Sequence, residues 1–290
     1  MSKNNNLSPK LIFIFITASI FILPFQLSCK STNISQITQS INPRVVQIVL
    51  VVQQTEGELS SNIIPVGTGL LLNNDGYVIT ASHLIDIAEL YVQQNQTKTM
   101  KLGIIIPPPD VVLNNQSVLQ VSTNDFEVIS TDREHDLALL RLKISKTISP
   151  FNGETLSEIH FSNGASGTLN LGDARFGKNI SNNISVSITG YPSTQLVLDT
   201  KTGKVTSPEI IGIISPRISL ETSYVTFQLE NYFQSDIIST QGLSGSPVYS
   251  PRNGEIMGIC INISDSSKET AIIPSRYILT LLKDNNINIK

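Results

Sequence analysis

The sequence predicts an all-β protein, and three observations carry that expectation. Short runs rich in valine, isoleucine and threonine recur along the chain, separated by clusters of glycine, proline, asparagine and serine. At 290 residues the chain is long enough for a sizeable core even after an N-terminal leader is set aside. It holds only two cysteines, so that core must form without a disulfide framework.

The first segment has the composition of a targeting signal. Lys3 and Lys10 supply a positive start, Leu11 to Leu23 is almost unbroken apolar sequence, and Pro24 ends it. Such a run is short for a membrane span. Cys29 follows Leu27-Ser28, where a lipoprotein signal is cut and the cysteine acylated. Residues 1–29 are therefore expected to be a lipoprotein-type signal, 30–40 a polar tether, and the mature protein an exported one held at the cell envelope by lipid. A soluble secreted form and an uncleaved anchor are the competing readings. Acylation of Cys29 leaves Cys260, inside an apolar strand, as the only thiol and most simply a small buried hydrophobe. Asn33, Asn179 and Asn262 open Asn-x-Ser/Thr sequons, which a chain this rich in asparagine and serine produces by chance.

The stretch from Gly67 to His83 predicts a β-hairpin. Gly67 and Gly69 bracket the start of an apolar strand, Asn73 to Gly76 is turn chemistry, and Tyr77 to Thr80 is a second β-prone run. His83 then falls at a strand end. The segment from Ile87 to Asp132, with Pro107-Pro108-Pro109, is expected to be a surface excursion. Asp136 opens the apolar run Leu137 to Leu142, which has the pattern of a buried strand. A polar connection over 145–183 leads to a second β-rich stretch and to Gly242-Leu243-Ser244-Gly245-Ser246-Pro247-Val248.

His83, Asp136 and Ser244 have the chemistry of a nucleophilic triad. A serine hydroxyl is a weak nucleophile until a base within hydrogen-bond reach takes its proton, and the base works best when a carboxylate fixes its tautomer. Gly242 can turn its N–H inward and, with the N–H of Ser244, form an oxyanion hole. Each piece alone has a plain structural reading: a GxSG tetrapeptide is usually a tight turn, and an aspartate before a strand is most often a cap. The three in one order, each in its own local setting, point to catalysis. No histidine follows Ser244 and Ser246 takes the place of the second glycine, which excludes the order and elbow of an α/β-hydrolase. His135 and His160 lack a comparable context and are expected to be structural or solvated.

These motifs resemble trypsin-like serine peptidases of the chymotrypsin fold, in particular the bacterial HtrA-type and glutamyl-endopeptidase-type enzymes. The HtrA-type pattern is carried by the Gly67–His83 hairpin, Asp136-Leu137-Ala138-Leu139-Leu140, Ser235-Asp236, Gly242-Leu243-Ser244-Gly245, Gly254 to Ile259 and Ala271 to Pro274, while Ser246-Pro247-Val248 is similar to the glutamyl endopeptidases. The resemblance implies a peptidase domain over 41–290, built from two antiparallel β-barrels at about 41–144 and 184–263 with a short helix near the C-terminus. The active site would lie between the barrels, and an extended substrate would pair with the Gly258–Ile263 edge.

Departures from the family pattern bear on activation and specificity. Leu243 replaces the aspartate that receives a new N-terminal amine in digestive relatives, which removes that route of activation. Ile238 stands six residues before Ser244, where tryptic enzymes carry a pocket aspartate, and Cys260 stands where glutamyl endopeptidases carry a histidine. The implied preference is for small or medium apolar residues before the cleaved bond. HtrA-type chains often continue into a PDZ domain, whereas here only a helical-looking segment, Pro274 to Lys290, follows the second barrel.

Composition excludes other classes. The net charge of −3 and the lack of a basic stripe give no nucleic-acid footprint. No cluster has metal-ligand spacing and no phosphate loop precedes a helix, so no cofactor is expected. Protein or peptide substrates, and a membrane reached through lipid, are the expected partners. The alternative from another class is a peptide-binding or adhesion protein that keeps the fold without catalysis.

Overall fold

The computed structural model describes residues 34–53, 62–95, 99–107, 123–148, 155–161, 165–177, 184–192, 197–199, 204–206, 218–228, 231–238, 240–261 and 269–289. All belong to one compact unit, Thr32–Lys290; the other unit, Met1–Ser31, with the leader and Cys29, lies outside the described residues.

Helix α1 (Ile34–Ile41) comes first. It replaces the polar tether expected over 30–40 in the described part, 34–40, while 30–33 lie outside the described residues: Ile37 and Ile41 are buried in the core, and the Thr38 hydroxyl lies 3.2 Å from that of Tyr249. The next strands are β1 (Val45–Gln53), β2 (Asn62–Leu71) and β3 (Tyr77–Ala81). Helix α2 (Ser82–Gln94), β4 (Thr99–Ile105), β5 (Phe126–Asp132) and β6 (Leu137–Leu142) follow. The six strands form an antiparallel sheet in the order β4-β1-β2-β3-β6-β5. Reciprocal backbone bonds between Ile104 and Asn124, at 2.9 and 2.8 Å, join its two edges. Much of the supposed excursion over 87–132 thus belongs to the barrel, because its ends supply helix and strand; only 96–98 and 108–122 fall outside the described residues.

The β2–β3 turn forms as expected. Asn73 Oδ1 accepts from the Asp75 and Tyr77 amides, and Gly76 takes φ +80°, a conformation that glycine adopts without strain. Apart from Gln47, the Val45–Val52 run is apolar without alternation because both faces are buried. Val46, Ile48 and Leu50 fill the first barrel with Leu71, Val78 and Leu140; Val45, Val49 and Val51 face a second cluster containing Tyr191, Tyr249, Ile259 and Ile273.

Between the barrels, β7 (Ser145–Ile148), β8 (Thr155–His160) and β9 (Ser166–Thr168) make a three-stranded sheet within the expected polar connection. The second barrel is closed and comprises β10 (Ser185–Gly190), β13 (Ile218–Gln228), β14 (Phe233–Ile238), β17 (Glu269–Pro274), β16 (Ile256–Ile261) and β15 (Pro247–Tyr249). A separate hairpin, β11 (Val197–Asp199) with β12 (Lys204–Thr206), sits between β10 and β13 in sequence. This barrel runs past residue 263, because closure needs β17; helix α3 (Ser275–Asp284) then packs Ile278, Leu281 and Leu282 into the shared core. The architecture is the two-barrel all-β fold expected from the sequence.

Candidate active site

Strand β3 delivers its last residue, Ala81, in an extended conformation, and α2 starts at once, placing His83 in the first helical turn. That turn is capped from a distance. The Ser82 amide donates to the Asp136 carbonyl at 3.1 Å, and the His83 amide donates to Asp136 Oδ1 at 2.9 Å. Asp136 can do this because it holds φ +52° at the end of the turn before β6, a left-handed position that aspartate tolerates better than most residues. Its Oδ2 lies 2.6 Å from His83 Nδ1, and the Ser82 hydroxyl donates to Oδ1 at 2.9 Å.

Burial by itself would raise the Asp136 carboxyl. The His83 ring hydrogen bond and charge, the His83 amide and the Ser82 hydroxyl outweigh it and hold the group below the ordinary carboxylate value. When Nδ1–H of a neutral imidazole donates to this carboxylate, Nε2 keeps its lone pair, the state a general base requires.

Ser244 sits on the loop between β14 and β15. The loop is anchored in the second barrel by Leu243, which is fully buried beside Val186, Ile188 and Phe233. It is anchored to the first barrel by Thr68, whose amide donates to the Ser244 carbonyl at 3.0 Å and whose hydroxyl donates to the Gly242 carbonyl at 2.9 Å. Gly242 (φ +94°) and Gly245 (φ +83°) hold conformations that side chains resist, and a Cβ on Gly245 would collide with the Thr68 carbonyl and the Thr80 hydroxyl. Ser244 is 1% exposed, and its Oγ has no hydrogen-bond partner among the described residues.

The structure therefore brings His83 and Asp136 into direct contact and ties Ser244 to β2, the strand paired with the β3 that leads into His83. Gly242 and Ser244 donate no backbone hydrogen bond among the described residues. Ile238 ends β14 opposite Glu269, but its side chain lies outside the description. Cys260 is buried, as expected. Gly258 to Cys260 is not a free edge: β16 pairs there with both β15 and β17, and Cys260 exchanges backbone bonds with Gly245 and Ser246. His135 is structural, bonded to Asp132 at 2.7 Å and stacked on Tyr277 with ring centroids 3.7 Å apart. His160 is exposed beside Ser166.

Ser82 and Thr68 were not singled out from sequence. The available signals were a hydroxyl next to the base histidine and a threonine between two glycines in an otherwise apolar strand.

The family model described as trypsin-like peptidase domain matches residues 67–259, well over half of the chain. The chain belongs to the trypsin-like peptidase family and is a trypsin-like serine peptidase. A solved structure described as the HtrA-type protease AlgW with decapeptide shares its fold, with TM-score 0.53 and 14% identity over 88% of this chain and 67% of that one. The active form of the Rv3671c protease from M. tuberculosis aligns with TM-score 0.49 and 13% identity over 87% of this chain and 85% of that one. No sequence among curated proteins matches.

Proposed function

We propose that the chain is an exported endopeptidase that cleaves peptide bonds through an acyl-enzyme. The observation that carries this reading is the His83–Asp136 contact of 2.6 Å, on a turn and helix start joined by backbone bonds to one another. Ser244 Oγ attacks the scissile carbonyl while His83 Nε2 takes its proton; the amide N–H groups of Gly242 and Ser244 receive the developing oxyanion. His83 then gives the proton to the leaving amine, and water repeats the sequence to release the acid product. Asp136 stays ionised throughout and holds the imidazole. The fold neighbour AlgW is described with a decapeptide, which supports proteins or peptides as the substrate class.

Fluorophosphonate labelling tests the reading. Wild type is expected to react covalently at Ser244 and to hydrolyse peptides, whereas Ser244→Ala does neither while melting at the same temperature; triad loss costs on the order of a millionfold in turnover. The buried, unpartnered Ser244 hydroxyl is what a non-catalytic peptide-binding protein would also show. Peptide binding by wild type without labelling or hydrolysis would establish that second reading.

Export by a lipoprotein-type signal over 1–29 completes the proposal, supported by the charged start, the apolar run and Cys29. Intact mass of the membrane-extracted protein checks it: the mature chain should start at Cys29 with added acyl mass. An unmodified N-terminus would rule the lipid anchor out.

A further inference from the structure

Each polar atom of the Thr68 backbone and side chain is engaged, and the residue is fully buried. Its carbonyl accepts from the Thr80 hydroxyl at 2.6 Å, and its hydroxyl accepts from the Tyr191 amide at 3.0 Å. Its two remaining donors go to the nucleophile loop, the hydroxyl to the Gly242 carbonyl and the amide to the Ser244 carbonyl. The same two peptide units are held at their other ends: the Leu243 amide donates to the Thr240 carbonyl at 3.2 Å, and the Gly245 amide to the Cys260 carbonyl at 2.8 Å. Alternate peptides of the loop are thus clamped at both ends. The peptide between them carries the Ser244 N–H and the peptide before the first carries the Gly242 N–H, and neither N–H makes such a bond among the described residues. Clamping the neighbours fixes the direction of these two donors.

We propose that Thr68 is a positioning residue for the oxyanion donors, its hydroxyl locking the Gly242 peptide so that both N–H groups point into the site. The assignment rests on the peptidase reading above. A donor held in place before reaction needs no reorganisation as negative charge develops, which makes its alignment matter more for turnover than for substrate binding. Valine at position 68 keeps the volume and deletes the hydroxyl, leaving the Gly242 carbonyl without its donor and the Tyr191 amide without its acceptor. Serine keeps both bonds.

Steady-state hydrolysis by purified wild type, Thr68→Val, Thr68→Ala and Thr68→Ser, with a peptide aldehyde as inhibitor, tests the assignment. The aldehyde forms a hemiacetal on Ser244 whose oxygen occupies the donor site. Thr68→Val should lower kcat about tenfold to a hundredfold and weaken the aldehyde similarly, with KM nearly unchanged; loss of a whole donor costs about 10²–10³. Thr68→Ser should stay within about threefold of wild type. Should the valine variant fail to fold, Thr68→Ala removes the same hydroxyl and carries the same expectation. Equal kcat in a folded valine or alanine variant, or a rise confined to KM, overturns the Thr68 assignment alone. A wild type that neither hydrolyses peptides nor reacts with fluorophosphonate overturns the peptidase reading and this assignment with it.

Discussion

The Ser82 hydroxyl and the His83 amide both donate to Asp136 Oδ1, each at 2.9 Å, which leaves Oδ2 for the His83 ring. Removing the Ser82 hydroxyl takes one donor from the ionised carboxylate, and a hydrogen bond to a charged group contributes roughly 1.5–3 kcal/mol. The folded Asp136 carboxyl lies below its ordinary value, so it stabilises the fold above the unfolded carboxyl value and loses that effect as pH falls through the folded one. Ser82→Ala should therefore lower urea stability at about pH 7, and its deficit against wild type should shrink as pH falls through the folded Asp136 value. Activity at neutral pH should fall by less than in His83→Ala. Identical pH–stability curves for the two proteins would refute the role assigned to this hydroxyl.

Local chemistry made the candidate triad residues His83, Asp136 and Ser244 legible in the sequence. The Asn73–Gly76 turn sets the hairpin, and the hairpin fixes where His83 emerges; the apolar run after Asp136 fixes the strand that starts there. Longer-range effects were not legible. Helix α1 looks like a polar tether because only Ile37 and Ile41 of its described side chains reach the core, against partners more than 200 residues away in Tyr249 and its neighbours. Strand β17 lies beyond a further segment, and only barrel closure explains why Ala271 to Ile273 are buried. Thr68 and Ser82 escaped notice because their partners, the loop carbonyls and the Asp136 carboxylate, are distant in sequence.

Arg44 joins the first barrel to the connecting segment. Its guanidinium is largely buried and donates to the carbonyls of Leu72, Leu171, Gly172 and Asp173. Burial lowers its pKa, and the Asp173 charge opposes the shift only in part. Arg44→Met keeps the stem and abandons those carbonyls, and each buried acceptor left unpaired costs about 1–3 kcal/mol. The urea midpoint should fall by an amount equivalent to about 2–4 kcal/mol, while Arg44→Lys recovers only part because an ammonium lacks the planar fork. An unchanged midpoint in Arg44→Met would show that solvent satisfies these carbonyls.

Specificity should follow from what position 238 lacks. An isoleucine six residues before the nucleophile offers no carboxylate to a substrate cation, and burying that cation without a partner costs several kcal/mol. Cys260, buried among Val186, Ile188 and Leu243, likewise offers no charge to a substrate carboxylate. Small and medium apolar side chains such as Ala, Val and Leu are the expected choice before the cleaved bond. Cleavage-site profiling of a proteome-derived peptide library checks this, and dominant cleavage after Lys, Arg or Glu would refute it.

The Ser244 hydroxyl is closed to solvent, so a carbonyl can reach it only after part of its cover moves. Such an opening exposes surface, and denaturant favours states in proportion to the surface they expose. The labelling rate of wild type with a fluorophosphonate should therefore rise with urea at concentrations well below the unfolding transition. Its logarithmic slope should be a fraction of the slope for global unfolding, because only the cover moves. Ser244→Ala should remain unlabelled across the same range, which separates opening at Ser244 from adventitious modification elsewhere. A labelling rate that is flat or falls with urea from the first addition would mean that the hydroxyl is already accessible in the native protein, and that no opening step precedes catalysis.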